Sequence, residues 1–217
     1  MISVITATYN HAPFLEGAVA SLRAQTCQDF EHLVIDDGST DATPEILARL
    51  ARDAARPMRV IRTPNRGLAA ALNLGLARAQ GDLVCFLDSD DEYPPDHLEY
   101  QLATLAAHEF VLGRFELVNC TGQEHPVVAD FFNPGKVIPI EAIEYGTGLF
   151  FGRRSVFVQL DGFRHVDLCD TDFFMRMRAA GYDWVRAERP SYRWFFGRVA
   201  NNMAVREMKK LTAIEGR

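Results

Sequence analysis

Two rhythms of apolar and polar residues alternate over the first half of the chain. Ile2 to Thr8 is an apolar, β-branched run that ends at Asn10, and from Pro13 to Gln25 the residues Phe14, Ala18, Ser21 and Leu22 fall on one helical face. The same pair then recurs. His32 to Ile35 predicts a strand running into Asp36, Asp37 and Gly38, after which Thr43 can cap a helix with Pro44 at its first position and Ile46, Leu47 and Leu50 as its apolar stripe. Met58 to Thr63 predicts a third strand and Leu68 to Ala79 a helix closed by Gly81. Leu83 to Leu87 is a fourth strand, opening into Asp88, Asp90 and Asp91. Strands alternating with helices predict an α/β fold built on a doubly wound, mostly parallel sheet.

After Asp91 the pattern changes. A helix from Pro94 and Pro95 through Ala107 leads to a strand over Phe110 to Val118, followed by a loop rich in Gly, Pro and Asn between Thr121 and Lys136. Gly148 to Gly152 predicts another strand, Ser155 to Leu160 a short helix, and Asp172 to Ala180 a helix ended by Gly181. The tail from Val199 to Ile214 reads as an amphipathic helix with Met203, Met208, Leu211 and Ile214 on one side. Such a stripe packs on the domain or, with Arg206, Lys209 and Lys210 outward, touches a membrane surface.

Composition narrows the picture. At 217 residues and 48% hydrophobic, the chain suits one domain with a modest annex, split near 1–107 and 108–217. A net charge of −6 argues against binding the nucleic-acid backbone, and an anionic ligand would need local help. Cys27, Cys85, Cys120 and Cys169 form no CxxC pair, which suits a reduced, cytoplasmic protein. No signal-like N-terminus and no window approaching 18 consecutive apolar residues predict a chain without secretion or a transmembrane segment. The terminal IEGR matches a protease-site sequence used in expression work and is set aside.

In open α/β sheets ligands bind beyond the carboxyl ends of the strands, where strand order reverses. Four predicted strand ends carry polar groups: Thr8 to Asn10, Asp36 and Asp37, Asn65 to Gly67, and Asp88 to Asp91. Acids on adjacent strand ends raise each other's pKa unless a cation sits between them. Hard carboxylate oxygens suit Mg²⁺ or Mn²⁺, which take substrate phosphate oxygens as further ligands. Read singly, DDGSTD is a turn and helix cap and DSDD a solvated loop; read together they favour a site.

These motifs resemble the family 2 glycosyltransferases of GT-A fold. The resemblance runs from Ile2 to about Arg198 and rests on SVITATYN, VIDDGSTDAT, NRGLAAALNLGLARAQGDLVCFLDSDD, TGLFFGRRSVFVQLDGF and CDTDFFMRMRAAGY. It implies inverting transfer from a nucleotide-diphospho-sugar, most simply a UDP-sugar, to a sugar or glycolipid acceptor. Residues 1–107 would then be the nucleotide-sugar half and 108–217 the acceptor half. Residue by residue, it assigns Ala7, Tyr9 and Asp37 to the base and ribose, with Asp36 structural. Asn65 and Gly67 would lie close to the nucleotide. Asp90 would bind the metal, and Asp88 would reach ribose or a metal-bound water. Asp170 would be the base that takes the acceptor proton, with an N-cap as its alternative reading. Asp172 would cap the helix or contact acceptor. Trp194 is a candidate sugar platform, while Trp184 reads equally as core. His11 would cap or face solvent, and His165 would line the acceptor site or a plain loop.

Several positions depart from the family pattern. Cys169 stands where relatives have Glu, Leu72 where an Arg often precedes Asn73, and Ala7 where Pro is frequent. No His follows His165, so a further metal ligand seen near the end of many relatives has no counterpart, and Arg193 or Arg198 would bring positive charge to the diphosphate. Pro190 in place of a Gln before Arg-Trp argues against a processive synthase. A catalytically weakened nucleotide-sugar-binding protein stays open, as does a homodimer. A nucleotidyltransferase would need a Gly- and Arg-rich loop after strand one, whereas TATYNHAPF has neither.

Overall fold

The computed structural model describes residues 1–54, 57–120, 127–129, 137–139 and 146–196. Strands β1 (Ile2–Thr8), β2 (Phe30–Asp36), β3 (Met58–Arg62) and β4 (Leu83–Phe86) run parallel, joined by helices α1 (Leu15–Arg23), α2 (Thr43–Arg52) and α3 (Leu68–Arg78). Helix α4 (His97–Leu105) leads to β5 (Phe110–Leu112) and β6 (Phe115–Asn119), and then to the short pair β7 (Val127–Ala129) and β8 (Val137–Pro139). A 3-10 turn at Thr147–Leu149 opens β9 (Phe150–Arg153). After it come α5 (Arg154–Gln159), α6 (Cys169–Ala179), β10 (Trp184–Arg186) and β11 (Tyr192–Phe196).

Seven strands form one sheet in the order β10-β5-β9-β4-β1-β2-β3, with β9 antiparallel to both of its neighbours. Strand order reverses between β1 and β4, so the crevice beyond their carboxyl ends is where a ligand of such a sheet sits. Strands β11 and β6 make a separate parallel ribbon. Residues on both sides of position 107 therefore contribute to one sheet.

Apolar side chains cover both faces of that sheet. Leu15, Val19, Val34, Leu47 and Leu50 make a small cluster between α1, α2 and β2. The larger one joins Leu72 and Leu76 of α3 to a phenylalanine stack in which Phe157 and Phe173 lie 4.8 Å apart and Phe86 and Phe163 5.4 Å apart. Burying each such ring contributes roughly 1.5–3 kcal/mol. Among the described residues no helix is long and apolar enough to cross a membrane.

Five sequence expectations are corrected. Phe110 to Val118 is not one strand: the chain changes sheet at Gly113 and Arg114, because Gly113 N donates to Leu149 O (2.7 Å) and Arg114 Nε to Ala187 O (2.7 Å). Thr43 does not cap α2, whose N-cap is Ala42; its Oγ1 accepts from His11 N at 3.1 Å instead. The strand expected over Gly148 to Gly152 begins with the 3-10 turn. Helix α6 starts at Cys169, with Leu168 as N-cap, so Asp170 and Asp172 both lie in its first turn and neither caps it. The expected loop from Thr121 to Lys136 contains β7, and its remainder lies outside the described residues, as do Arg198 and the tail helix from Val199 to Ile214.

Candidate functional site

The floor of the crevice is made where β1, β2 and β3 end. Asn10, at φ 55°, accepts from Thr40 N (2.8 Å) through Oδ1, while its own N donates to Ser39 Oγ (2.9 Å), so the first two strand ends are stitched together. Asp36 accepts from Ser39 N at 2.9 Å and pairs with Arg62 at 3.4 Å, which makes it an organiser of the turn. Asp37 reaches across to the loop after β3. Its Oδ1 accepts from Arg66 N (2.9 Å) and Thr63 Oγ1 (3.3 Å), and its Oδ2 from Gly67 N (2.8 Å). A carboxylate offers about four acceptor directions, and three are taken within the described residues. Gly38 is required here: its φ is +78°, and a Cβ would meet Asn65 N at 2.7 Å. Tyr9, at 44% exposure, and Asn65 stand open at the same edge, with half-buried Ala7 beneath.

The wall is the turn after β4. Asp91 N donates to Asp88 O (3.1 Å), which brings Asp88, Ser89, Asp90 and Asp91 into one tight turn. Two segments from later in the chain hold it. Thr147 Oγ1 donates to Asp88 Oδ1 at 3.0 Å, Phe195 N to Asp91 Oδ1 at 2.9 Å, and Tyr192 Oη to Asp91 Oδ2 at 2.8 Å. The His11 ring Nδ1 lies 2.7 Å from Ser89 Oγ, so this residue ties β1 to the turn where capping or solvent exposure was expected. Burial first, and then the Asp90 and Asp170 carboxylates, push Asp88 up to about 7 against the lowering pull of the Thr147 and Tyr192 hydroxyls. Asp91 is likewise raised well above the usual range, by burial and by Asp90 and Asp88.

Helix α6 supplies a further acid, Asp170, in its first turn. Burial raises Asp170 even though its Oδ1 accepts from Thr171 N at 2.7 Å. The helix is fixed by two clasps on the loop before it. Asn73 takes both backbone groups of Phe163, donating to its O (2.7 Å) and accepting from its N (2.8 Å). Arg176 donates to Leu160 O, to Gly162 O (2.7 Å) and to Asp172 Oδ2 (2.8 Å). Beside Asp170, the buried Cys169 thiol is pushed up to about 12 by burial and then by Asp170 itself, so it stays a neutral neighbour.

Asp88, Asp90 and Asp170 are thus electrostatic neighbours. The other expected residues sit further out or hold structure. Asp172 is paired with Arg176 and, at 3.6 Å, with Arg164. Arg193 is exposed and 3.3 Å from Glu116, and Trp194 packs between Phe115 (5.1 Å) and Phe196 (5.6 Å) on the ribbon. Trp184 lies edge-on to Phe174 at 5.2 Å, and His165 is an exposed loop residue. Thr147, Tyr192, Asn73 and Arg176 were not singled out from sequence, although all but Tyr192 stand in the motifs quoted above. Among the described residues no three His, Cys, Asp or Glu side chains form a ready-made cage. The acids present fit a hard cation that completes its shell with water and phosphate, since it would relieve the repulsion that raises Asp88.

Residues 3–161 match the sequence profile described as Glycosyl transferase family 2. The succinoglycan biosynthesis protein ExoW of Rhizobium meliloti is 45% identical over 100 residues, which is 45% of this chain and 31% of that protein. The matched stretches make up between 23% and 52% of the curated relatives' lengths. Staphylococcus aureus TarS 1–349 in complex with UDP-GlcNAc superposes with a TM-score of 0.73 at 21% identity, over 99% of this chain and 66% of that one. A mannosyltransferase from Pyrobaculum calidifontis in complex with GDP-Man and Mn²⁺ gives 0.72 at 20% identity, over 100% and 65%. These likenesses show the shared GT-A architecture.

Proposed function

Because the chain belongs to glycosyl transferase family 2, we propose that it moves a sugar from a nucleotide-diphospho-sugar, most simply a UDP-sugar, to an acceptor hydroxyl with inversion at the anomeric carbon. One observation carries the reading: Asp88 and Asp90, held in one tight turn after β4, have the Asp170 carboxylate of the first turn of α6 as an electrostatic neighbour. Single in-line displacement needs a donor site on one side of the sugar and a base on the other.

Tyr9, Ala7 and the remaining acceptor direction of Asp37 hold the base and ribose, and Asn65 and Gly67 approach the nucleotide from the loop that Asp37 anchors. Asp90, with Asp88 beside it, would hold Mg²⁺ or Mn²⁺, which offsets the charge of the departing diphosphate. Asp170 accepts the acceptor's proton as attack proceeds. Its burial raises its affinity for that proton, which favours a base working near neutral pH. Arg193 and Arg198 are the candidate cations for the diphosphate and Trp194 a candidate platform for the acceptor. Asp172, committed to Arg176, acts by fixing α6. The acceptor is a sugar or glycolipid, in keeping with the polysaccharide pathway for which ExoW is named.

Thermal stabilisation by UDP-, GDP- and dTDP-sugars in Mn²⁺ tests the donor, since a ligand that binds only the folded state raises its melting temperature. One base class should stabilise, and chelation should abolish the shift. Donor hydrolysis with and without Mn²⁺ then tests turnover. A chain stabilised by none of the three, with no hydrolysis, would refute the reading.

A further inference from the structure

Three adjacent acids in the turn after β4 look interchangeable as ligands, yet their surroundings differ. Asp91 is 2% exposed, and each of its oxygens already accepts a hydrogen bond from β11, Oδ1 from Phe195 N and Oδ2 from Tyr192 Oη. The same Tyr192 hydroxyl lies 3.3 Å from Asp88 N, which donates to it. One phenol therefore bridges the backbone of the first acid and the side chain of the last, with Asp90 between them. Glu92 and Arg193 extend the join by exchanging backbone hydrogen bonds at 3.2 and 2.9 Å.

The ring of Tyr192 is itself fixed. It occupies the space a side chain at position 148 would need, since a Cβ on Gly148 would lie 2.2 Å from it, and Tyr93 stands edge-on at 5.7 Å. Thr147, next to Gly148, is the donor to Asp88 Oδ1. A shift of Tyr192 would therefore reach Asp88 by two routes, through the bridging hydroxyl and through the Thr147–Gly148 turn.

We propose that Asp91 and Tyr192 are positioning residues: together they tie the Asp88–Asp91 turn to β11 and so set where Asp88 and Asp90 meet the donor's cation and phosphates. The tie rests on the donor reading above for its consequence, and on the hydrogen bonds alone for its existence. Groups that orient the ligands of a metal typically change its affinity by roughly 10- to 100-fold when removed.

Tyr192→Phe is the informative variant, because the ring that packs on Gly148 is kept and only the hydroxyl is lost. Calorimetric titration of UDP with and without Mn²⁺ should show Mn²⁺-supported affinity falling roughly 10- to 100-fold, with metal-free UDP binding unchanged. Asp91→Asn should also weaken the Mn²⁺-supported affinity, and the double variant should fall short of the sum of the two single losses, because both remove the Tyr192–Asp91 bond. In the nucleotide-free chain, amide exchange over residues 88–92 should quicken in Tyr192→Phe. Unchanged exchange overturns the tie whatever the nucleotide does. Wild-type Mn²⁺-supported binding in Tyr192→Phe overturns its role, and a loss seen in Asp91→Asn alone overturns it in favour of Asp91 as a ligand in its own right. A wild-type chain that binds no UDP overturns the donor reading, with the exchange result still deciding the tie.

Discussion

In the first half of the chain the polar side chains at the end of β2 serve nearby turns and loops: Asp36 holds the turn that follows it, and Asp37 holds the loop leading into α3. Between the two halves of the chain the polar groups reach partners far apart in sequence. Thr147 and Tyr192 close on the turn after β4, and Asn73 grips the loop before α6. The first kind of contact can form as each unit folds. The second requires the whole chain to have docked, so the proposed nucleotide floor is a local construction and the proposed reacting centre a collective one.

The strongest way to break that contrast is Asp170→Asn. Transfer should fall roughly 10²- to 10⁴-fold while UDP binding in Mn²⁺ stays as it was; a parallel loss of UDP affinity would show that α6 also builds the donor floor. Next in size is an effect of two buried histidines. His32, bonded to Thr6 at 3.0 Å, and His97, against Ser191 O, are each lowered to about 4, chiefly by burial. Because the unfolded chain takes up these protons nearer pH 6.5, the stability they represent is complete at neutral pH. It is lost as pH falls through the interval from about 6.5 to 4, by roughly 3 kcal/mol for each histidine. The raised carboxylates Asp88, Asp91 and Asp170 act in the opposite sense. The histidine part is therefore read from urea unfolding at pH 7 and pH 4.5 in wild type against His32→Gln, whose acid loss should be the smaller.

Two glycine substitutions sharpen the comparison. Gly148→Ala forces a methyl into the Tyr192 ring and should cost about 1–3 kcal/mol by thermal or urea unfolding, with Mn²⁺-supported binding weakened. Gly38→Ala carries the strain of φ +78° and a clash with Asn65 N, and should weaken UDP binding even without metal. If both variants lose the same property, the halves are not separable. The smallest effect belongs to Arg193→Ala. Its exposed pair with Glu116 should change stability by under about 1 kcal/mol, and an unchanged donor KM would remove it as a diphosphate contact.

The donor half was legible because its signals are periodic. β1 spans the residues its apolar run marks, and α2 and α3 end within a few residues of their stripes. The acceptor half was less so, for identifiable reasons. Nothing in Phe110 to Val118 announces a change of sheet, since the acceptors that break it belong to Leu149 and Ala187. The start of α6 was misjudged because Leu168 gives no capping signal, while Asp172, which looks like a cap, is an ion-pair partner of Arg176. Among the acids, sequence could place Asp88, Asp90 and Asp170 on motifs. It could not separate Asp91 from its neighbours, because the distinction lies in a tyrosine from another strand.

The antiparallel β9 has a consequence for how the chain comes to be folded. It fills the gap between β4 and β5, so β4 offers an unpaired edge from the moment it is made until Phe150 to Arg153 have emerged. An open edge beside a nearly complete parallel sheet invites pairing with a neighbouring chain. The period of greatest hazard during synthesis therefore coincides with translation of the residues between β4 and β9, and lengthening that stretch would prolong the exposure without altering the finished sheet.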